Sequence, residues 1–464
     1  MRSRHLTFAA LAAAALAVPA SAHAAAPWSA PAPLKQGAAT GLQGSPSITA
    51  NASGLAVAIA DAGGAAASGD VGPHAVASVF TNGVFLDPFQ IAPRNVAFGP
   101  EAGAVAAYAQ TRLLAAGLQF ARSSTQAVFA FGRLTPNRAG LDAPRPLGPA
   151  NLHAGPTALA VDAAGDAAMV YPVCRDAACT RALVYLAVRR RGSSAISSTR
   201  LMDGSGPLPR VAAAINERGD ALAVWTQAHT VYARIRTAGG ALRSRQTVGA
   251  TVAGPNLAPS AALSTHRAEL VGWVSQQVSE GDGGPGTTLV AQARDGSTFA
   301  PRMLAVNLPS GTGSYVSGAG IRVAFDPFGR RLLAWTGFDG GRFTVHSAEL
   351  LGAANAASSL TTDSQLVSDP AVDTVLESAT TAADGRQLLT LRAGARGTDA
   401  PTQTTTIWAA SRAADGAGPF TREPVSSGGA DAFDATAAIL PDRDLVVWAE
   451  PSGEAQFSQR VPAV

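Results

Sequence analysis

The residues able to do chemistry are few and scattered. Of seven histidines, five lie beyond residue 24 (His74, His153, His229, His266 and His346), and none has the H-x-x-x-H spacing that sets two imidazoles on one helix face for zinc. Cys174 and Cys179 flank Arg175-Asp176-Ala177-Ala178. They lack the C-x-x-C spacing of a redox dithiol, and in an exported chain two thiols this close are expected to form a disulfide. Glu280-Gly281-Asp282-Gly283-Gly284 offers loop oxygens without the regular acid spacing of a calcium loop. There is no nucleophile elbow, phosphate loop or dinucleotide fingerprint. Neither a metal nor a cofactor is expected. Glycoside cleavage needs two carboxylates roughly 5–10 Å apart, and no spacing in the chain selects such a pair. What remains is a set of single residues suited to touching a ligand: Asp61, Asp70 and His74; Glu280 and Asp282; Tyr315; Asp339; and Glu450.

Those residues must be positioned by the rest of the chain, and its first segment reads as an address. Arg2 and Arg4 precede an apolar run from Leu6 to Val18, Pro19 breaks it, and Ala22-His23-Ala24 is a small-residue cleavage site. The run is shorter than the roughly 20 residues a bilayer requires, so residues 1–24 are expected to be removed and residues 25–464 released outside the cell. No later stretch is expected to insert in a membrane. Removal takes two arginines and none of the 32 acidic residues, for a net charge of about +1. Lys35 is the only lysine, and the one cationic run, Arg189-Arg190-Arg191, is too short to track a phosphate backbone. Nucleic acid is not an expected partner. The partner class left open is an extracellular glycan or protein, met by a monomer. Asn51-Ala52-Ser53 matches a glycosylation sequon and reads as a chance match.

Organisation comes from internal repetition. Hydrophobic residues make up 47% and charged residues 14%, with 48 Gly and 30 Pro, which suits many turns between short apolar strands. An apolar run, a polar turn and a second apolar run ending in an aromatic recur around residues 54, 103, 165, 219, 267, 329, 385 and 442. The mean spacing is about 55 residues, slightly above the roughly 40–50 of familiar blade types. Downstream of most anchors a further β-rich run is closed by Asn82-Gly83, Gly192, Gly239-Gly240, Asp295-Gly296 or Asp415-Gly416. Asn-Gly and Asp-Gly supply the positive φ that hairpin turns demand. Each unit therefore reads as four antiparallel strands, A to D. One such sheet cannot bury both faces, whereas radial stacking does. The expected fold is all-β: a β-propeller of about eight four-stranded antiparallel blades.

The last unit supplies strands A (Asp434 to Leu440), B (Leu445 to Ala449) and C (Ala455 to Val461), then the chain stops. Pro27 to Leu34 is a D-like segment with no A, B or C before it. The N-terminal strand is expected to join the last blade and close the ring, hiding edges that an open ring would expose.

The stretch Phe325-Asp326-Pro327-Phe328-Gly329-Arg330-Arg331-Leu332-Leu333-Ala334-Trp335 resembles the repeat of TolB-type, WD40-like bacterial propellers, and Ala383-Asp384-Gly385-Arg386-Gln387-Leu388-Leu389 approaches it. The family's Ser-Pro opening is missing from both. The resemblance spans one hairpin per blade and implies fold alone. The sialidase Asp-box fails, because Gly219 precedes Trp225 by six positions rather than three.

Residues recurring in register are expected to serve packing. Trp225, Trp273, Trp335, Trp448 and Tyr171 close strand B and should wedge between blades, with Tyr108 one place off. Tyr185 and Tyr232 should fill a buried slot that holds Val76, Leu289 and Val345 elsewhere. Asp166 and Asp220 should bond their own hairpin backbone. The B–C and D–A loops share one face at the channel mouth, and the ligand residues named above lie there. The favoured function is a non-enzymatic binding or scaffolding propeller, and the alternative is a sialidase-like glycoside hydrolase or lyase. Two carboxylates converging at the mouth beside two arginines would favour the alternative, and a plain alanine-lined mouth would favour binding.

Overall fold

The computed structural model describes residues 26–34, 46–51, 53–62, 74–92, 95–98, 105–108, 112–120, 124–205, 208–228, 230–250, 258–279, 282–308, 320–339, 341–351, 359–360, 365–394, 405–414, 418–426, 431–450 and 455–462. Every regular element in them is a strand, and the strands form eight antiparallel sheets. The first strands of successive sheets touch one another in an unbroken circle: Ser47–Ala50, Val105–Tyr108, Ala158–Val161, Val211–Ile215, Ser260–Leu263, Ile321–Phe325, Thr374–Thr381 and Phe433–Ile439, the last meeting the first again. The molecule is an eight-bladed β-propeller with these strands around the axis. Blades crowd most closely there, which accounts for Ala158-Leu159-Ala160-Val161, Val211-Ala212-Ala213-Ala214-Ile215 and Ser260-Ala261-Ala262-Leu263, where small side chains let neighbouring backbones approach.

Ring closure follows the expected scheme. Blade 8 runs Phe433–Ile439, Asp444–Ala449, Ala455–Arg460, and then the N-terminal Ala32–Pro33, with Ala32 opposite Phe457. The Ser29 amide donates to the Gln459 carbonyl at 2.8 Å, and the Leu34 amide to the Ala455 carbonyl at 2.8 Å.

Five blades, 3 to 6 and 8, present the same aromatic wedge, while blades 1 and 2 carry no aromatic at that position. Trp225, Trp273, Trp335, Trp448 and Tyr171 are buried between sheets, surrounded by Val, Leu and Ala of the adjoining blades. Three expectations need correction. Tyr108 belongs to the first strand of blade 2 and pairs with Arg112 of the second, so it does not close a second strand; Gly103 lies outside the described residues. Tyr185 and Tyr232 are half-buried rather than buried, and each stacks on its blade's wedge: Tyr171–Tyr185 at 5.3 Å and Trp225–Tyr232 at 5.8 Å between centroids. In blade 6 the residue facing Trp335 is His346, one place beyond Val345.

The turn aspartates also do something other than expected. Asp166 accepts from the Arg191 amide, and Asp220 from the Ala238 amide at 2.7 Å, so each ties its A–B turn to the C–D turn of the same blade. Asp220 is fully buried and bonded by Arg267 of blade 5 at 2.8 Å; Arg190 of blade 3 reaches the Gly219 carbonyl of blade 4 at 2.6 Å. Gly219 is required twice over: its φ is +77°, and a Cβ there would lie 2.0 Å from the Arg190 guanidinium. The hairpins' own amides are capped from the start of the turn, four residues before the position of Asp166 and Asp220, by Asn51, Asp162, Asn216 and Asp326. Forked guanidinium groups bridge blades where a single ammonium would reach one acceptor, which gives the near-absence of lysine a structural reason.

Candidate functional site

The described ligand candidates fall on the same end of several blades without forming one cluster. Asp61, in strand Ala56–Ala62 of blade 1, is buried and accepts the Phe98 amide at 2.9 Å, tying blade 1 to blade 2. Asp339 ends strand Arg331–Asp339 of blade 6 with an exposed carboxylate, 2.6 Å from His346 Nε2 and 2.7 Å from the Thr344 hydroxyl. Burial pushes its pKa up, but those two hydrogen bonds and the His346 charge outweigh that and hold it below the ordinary value. Glu450 is half-buried just after strand Asp444–Ala449 of blade 8. His74 and Asp282 begin the third strands of blades 1 and 5, but their side chains, like Asp70, Glu280 and Tyr315, lie outside the described residues. The expected disulfide is present: Cys174 and Cys179 are bonded across the B–C loop of blade 3 with their Cα atoms 4.9 Å apart.

A cluster that the sequence reading missed occupies the channel wall near the same face. The innermost strands of blades 1 to 5 carry no charged residue, while those of blades 6, 7 and 8 carry Arg322, Glu377 and Asp434. Both carboxylates sit where the ladder slips: the register shifts between Leu376 and Ser378, and again between Phe433 and Thr436. A bulge re-aims the side chain it carries and often accompanies a functional site. Glu377 is buried, its Oε1 lies 2.8 Å from Arg392 Nε, and the Arg322 guanidinium donates to its backbone carbonyl at 3.2 Å. Burial drives the Glu377 carboxyl up to about 7; Arg392 and Arg322 pull it down, and the Asp434 charge adds to the rise. Burial also draws Arg322 below its ordinary range, opposed by Glu377. Three charged residues about 55 positions apart, each interrupting a strand of small residues, were the available signal.

Behind this wall, on the side of blade 7 facing blade 6, the repeat breaks. At the wedge position blade 7 has Leu391, and the aromatic has moved across the ladder to its partner on the third strand, Trp408. A leucine where blades 3, 4, 5, 6 and 8 bury an indole or phenol leaves space. A cavity of about 280 Å³ opens beside it, lined by Val372, Thr374, Leu391, Thr406, Trp408 and Arg422 among others, with Asp369 at its rim. Trp408 is half-buried. The Arg422 Cζ lies 5.4 Å from its ring centroid, and Arg422 Nη2 is 3.6 Å from Asp369 Oδ2.

The opposite end of the channel holds larger spaces of about 570 and 460 Å³, whose linings include Asn51, Asp162, Asn216 and Asp326. Those four are the turn caps described above, so their presence there is explained by the hairpins.

No family model matches the chain, and no curated protein matches it. Among solved structures, a protein of unknown function from Dyadobacter fermentans is similar at 11% identity and TM-score 0.43, over 94% of this chain and 98% of that one. The β-propeller domain of the Trilobed protease from Pyrococcus furiosus is similar at 10% identity and TM-score 0.42, over 78% and 94%. A Trypanosoma rangeli sialidase is similar at 11% identity and TM-score 0.39, over 89% and 53%.

Proposed function

We propose that this chain is an exported binding propeller that takes up a glycan or protein on its B–C/D–A face without chemical turnover. One observation carries the reading: the charged interruptions of the innermost strands gather on three consecutive blades at that face, and the blade-7 cavity lies among them. Positions shared by all blades are consumed in packing, so a site specific to one ligand has to be written in the exceptions. The disulfide suits an oxidising compartment. Screening the purified protein against glycan and peptide arrays tests the proposal, with specific binding expected and its absence from both arrays as the contrary result.

Hydrolysis is the second reading, favoured by Glu377 titrating near 7 beside Asp434, Arg392 and Arg322. That gathering of two carboxylates and two arginines is the arrangement set out above as favouring catalysis. Against it stands the state of the acid: the Glu377 side chain is only 6% exposed and engaged by Arg392 at 2.8 Å, so it presents no free carboxyl to a substrate. Turnover of an aryl-glycoside panel that disappears in Glu377→Gln would establish the second reading over the first.

A further inference from the structure

We propose that the blade-7 cavity binds a single neutral pyranose ring, with the ring's apolar face against Trp408 and two adjacent hydroxyls on Arg422 and Asp369. The inference rests on the reading that this face takes up a ligand, and it names the ligand's class and place.

The cavity matches that chemistry in three respects. Its walls are largely apolar, from Val372, Leu391 and the indole of Trp408, and its size of about 280 Å³ accommodates one sugar ring rather than an extended chain. Its charges cancel, because Arg422 and Asp369 stand together, which disfavours a net anion or cation. Both are loosely held: Arg422 reaches Asp369 Oδ2 at 3.6 Å and the Val367 carbonyl at 3.4 Å. Asp369 Oδ1 takes the Ala371 amide at 2.8 Å, so Oδ2 remains to accept from a ligand. A wholly apolar guest would cover this pair without hydrogen-bonding it, at a desolvation cost. A pyranose avoids that cost, since one hydroxyl can accept from the guanidinium while its neighbour donates to the carboxylate. Its axial C–H groups meanwhile cover the indole.

The repeat itself supplies the decisive variant. Leu391→Trp restores at this position the wedge that blades 4, 5, 6 and 8 already bury, and so fills the cavity with a residue the architecture accommodates. The purified protein is titrated with methyl pyranosides of gluco, galacto and manno configuration, and with phenylacetate and cyclohexanol, by saturation-transfer NMR and tryptophan fluorescence. Expected is a dissociation constant of about 1 mM for at least one pyranoside, as suits a ligand of this size. It should weaken about tenfold or more in Trp408→Ala and Leu391→Trp, and about tenfold in Asp369→Asn. Asp369 is at the exposed rim, so that variant tests the site without disturbing the core. Absence of pyranoside binding, undiminished binding in Leu391→Trp, or Arg422-dependent binding of phenylacetate alone would overturn the assignment. Array-detected glycan binding that Leu391→Trp leaves intact would sink this cavity but keep the binding function. Silence on both arrays would sink the function itself.

Discussion

Glu269→Gln should make the protein less sensitive to pH, by an amount the structure lets us work out. Glu269 lies in strand Ala268–Ser279 of blade 5, is 1% exposed, and accepts the Gly296 amide at 2.6 Å. Burial drives its pKa from 4.5 to about 7, with the Asp295 charge adding to the rise and the Gly296 hydrogen bond opposing it. The folded value lies above the unfolded one, so this group's contribution is fully present below about pH 4.5 and is lost as pH rises through 7. At about 1.4 kcal/mol per unit, the difference amounts to about 3 kcal/mol by pH 8. A chain of this length has an unfolding entropy near 0.9 kcal/mol per kelvin, so the midpoint should move by about 3 °C. Glutamine retains an oxygen for the Gly296 amide and cannot ionise. Calorimetric melts of both proteins at pH 4.5, 6 and 8 should therefore show the variant gaining about 3 °C on the parent across that range. Glu377 shifts in the same direction in both proteins, so the difference between them isolates Glu269. A gap that stays constant with pH would refute the claim that this carboxylate ionises in a buried place.

Other perturbations separate the roles of individual parts. Deleting residues 25–34 removes the outer strand of blade 8 and should lower the melting midpoint of the whole ring, checked by circular dichroism. Trp225→Ala, at a fully buried wedge, should cost about 3–5 kcal/mol in denaturant unfolding, whereas half-buried Trp408→Ala should cost well under half of that. Asp220→Ala removes the buried acceptor for Arg267 and the Ala238 amide and should destabilise by about 3 kcal/mol, since it leaves donors unpaired. Replacing Cys174 and Cys179 with serine should remove at most about 2 kcal/mol, because the closed ring is short.

Much of this protein was legible in one dimension because its packing problem is solved eight times. The wedge aromatics of five blades, the turn at Gly219 and the Asp295-Gly296 hairpin recur because successive blades bury similar faces and reverse at the same radius. The closure of blade 8 was legible for a related reason: a missing outer strand and a spare one are visible without knowing where either sits. The functional sector was not legible in the same way. Arg322, Glu377 and Asp434 stand about 55 residues apart, and only the ring brings consecutive innermost strands together. The bulges that turn the two carboxylates are properties of the pairing, which no local propensity announces. Leu391 looks like an ordinary strand residue until its partner is known to be Trp408, and only then is it seen to leave a cavity. Recurrent contacts are short-range within a blade and leave a periodic mark on the chain, whereas a site assembled between blades depends on distances that exist only after the circle is closed.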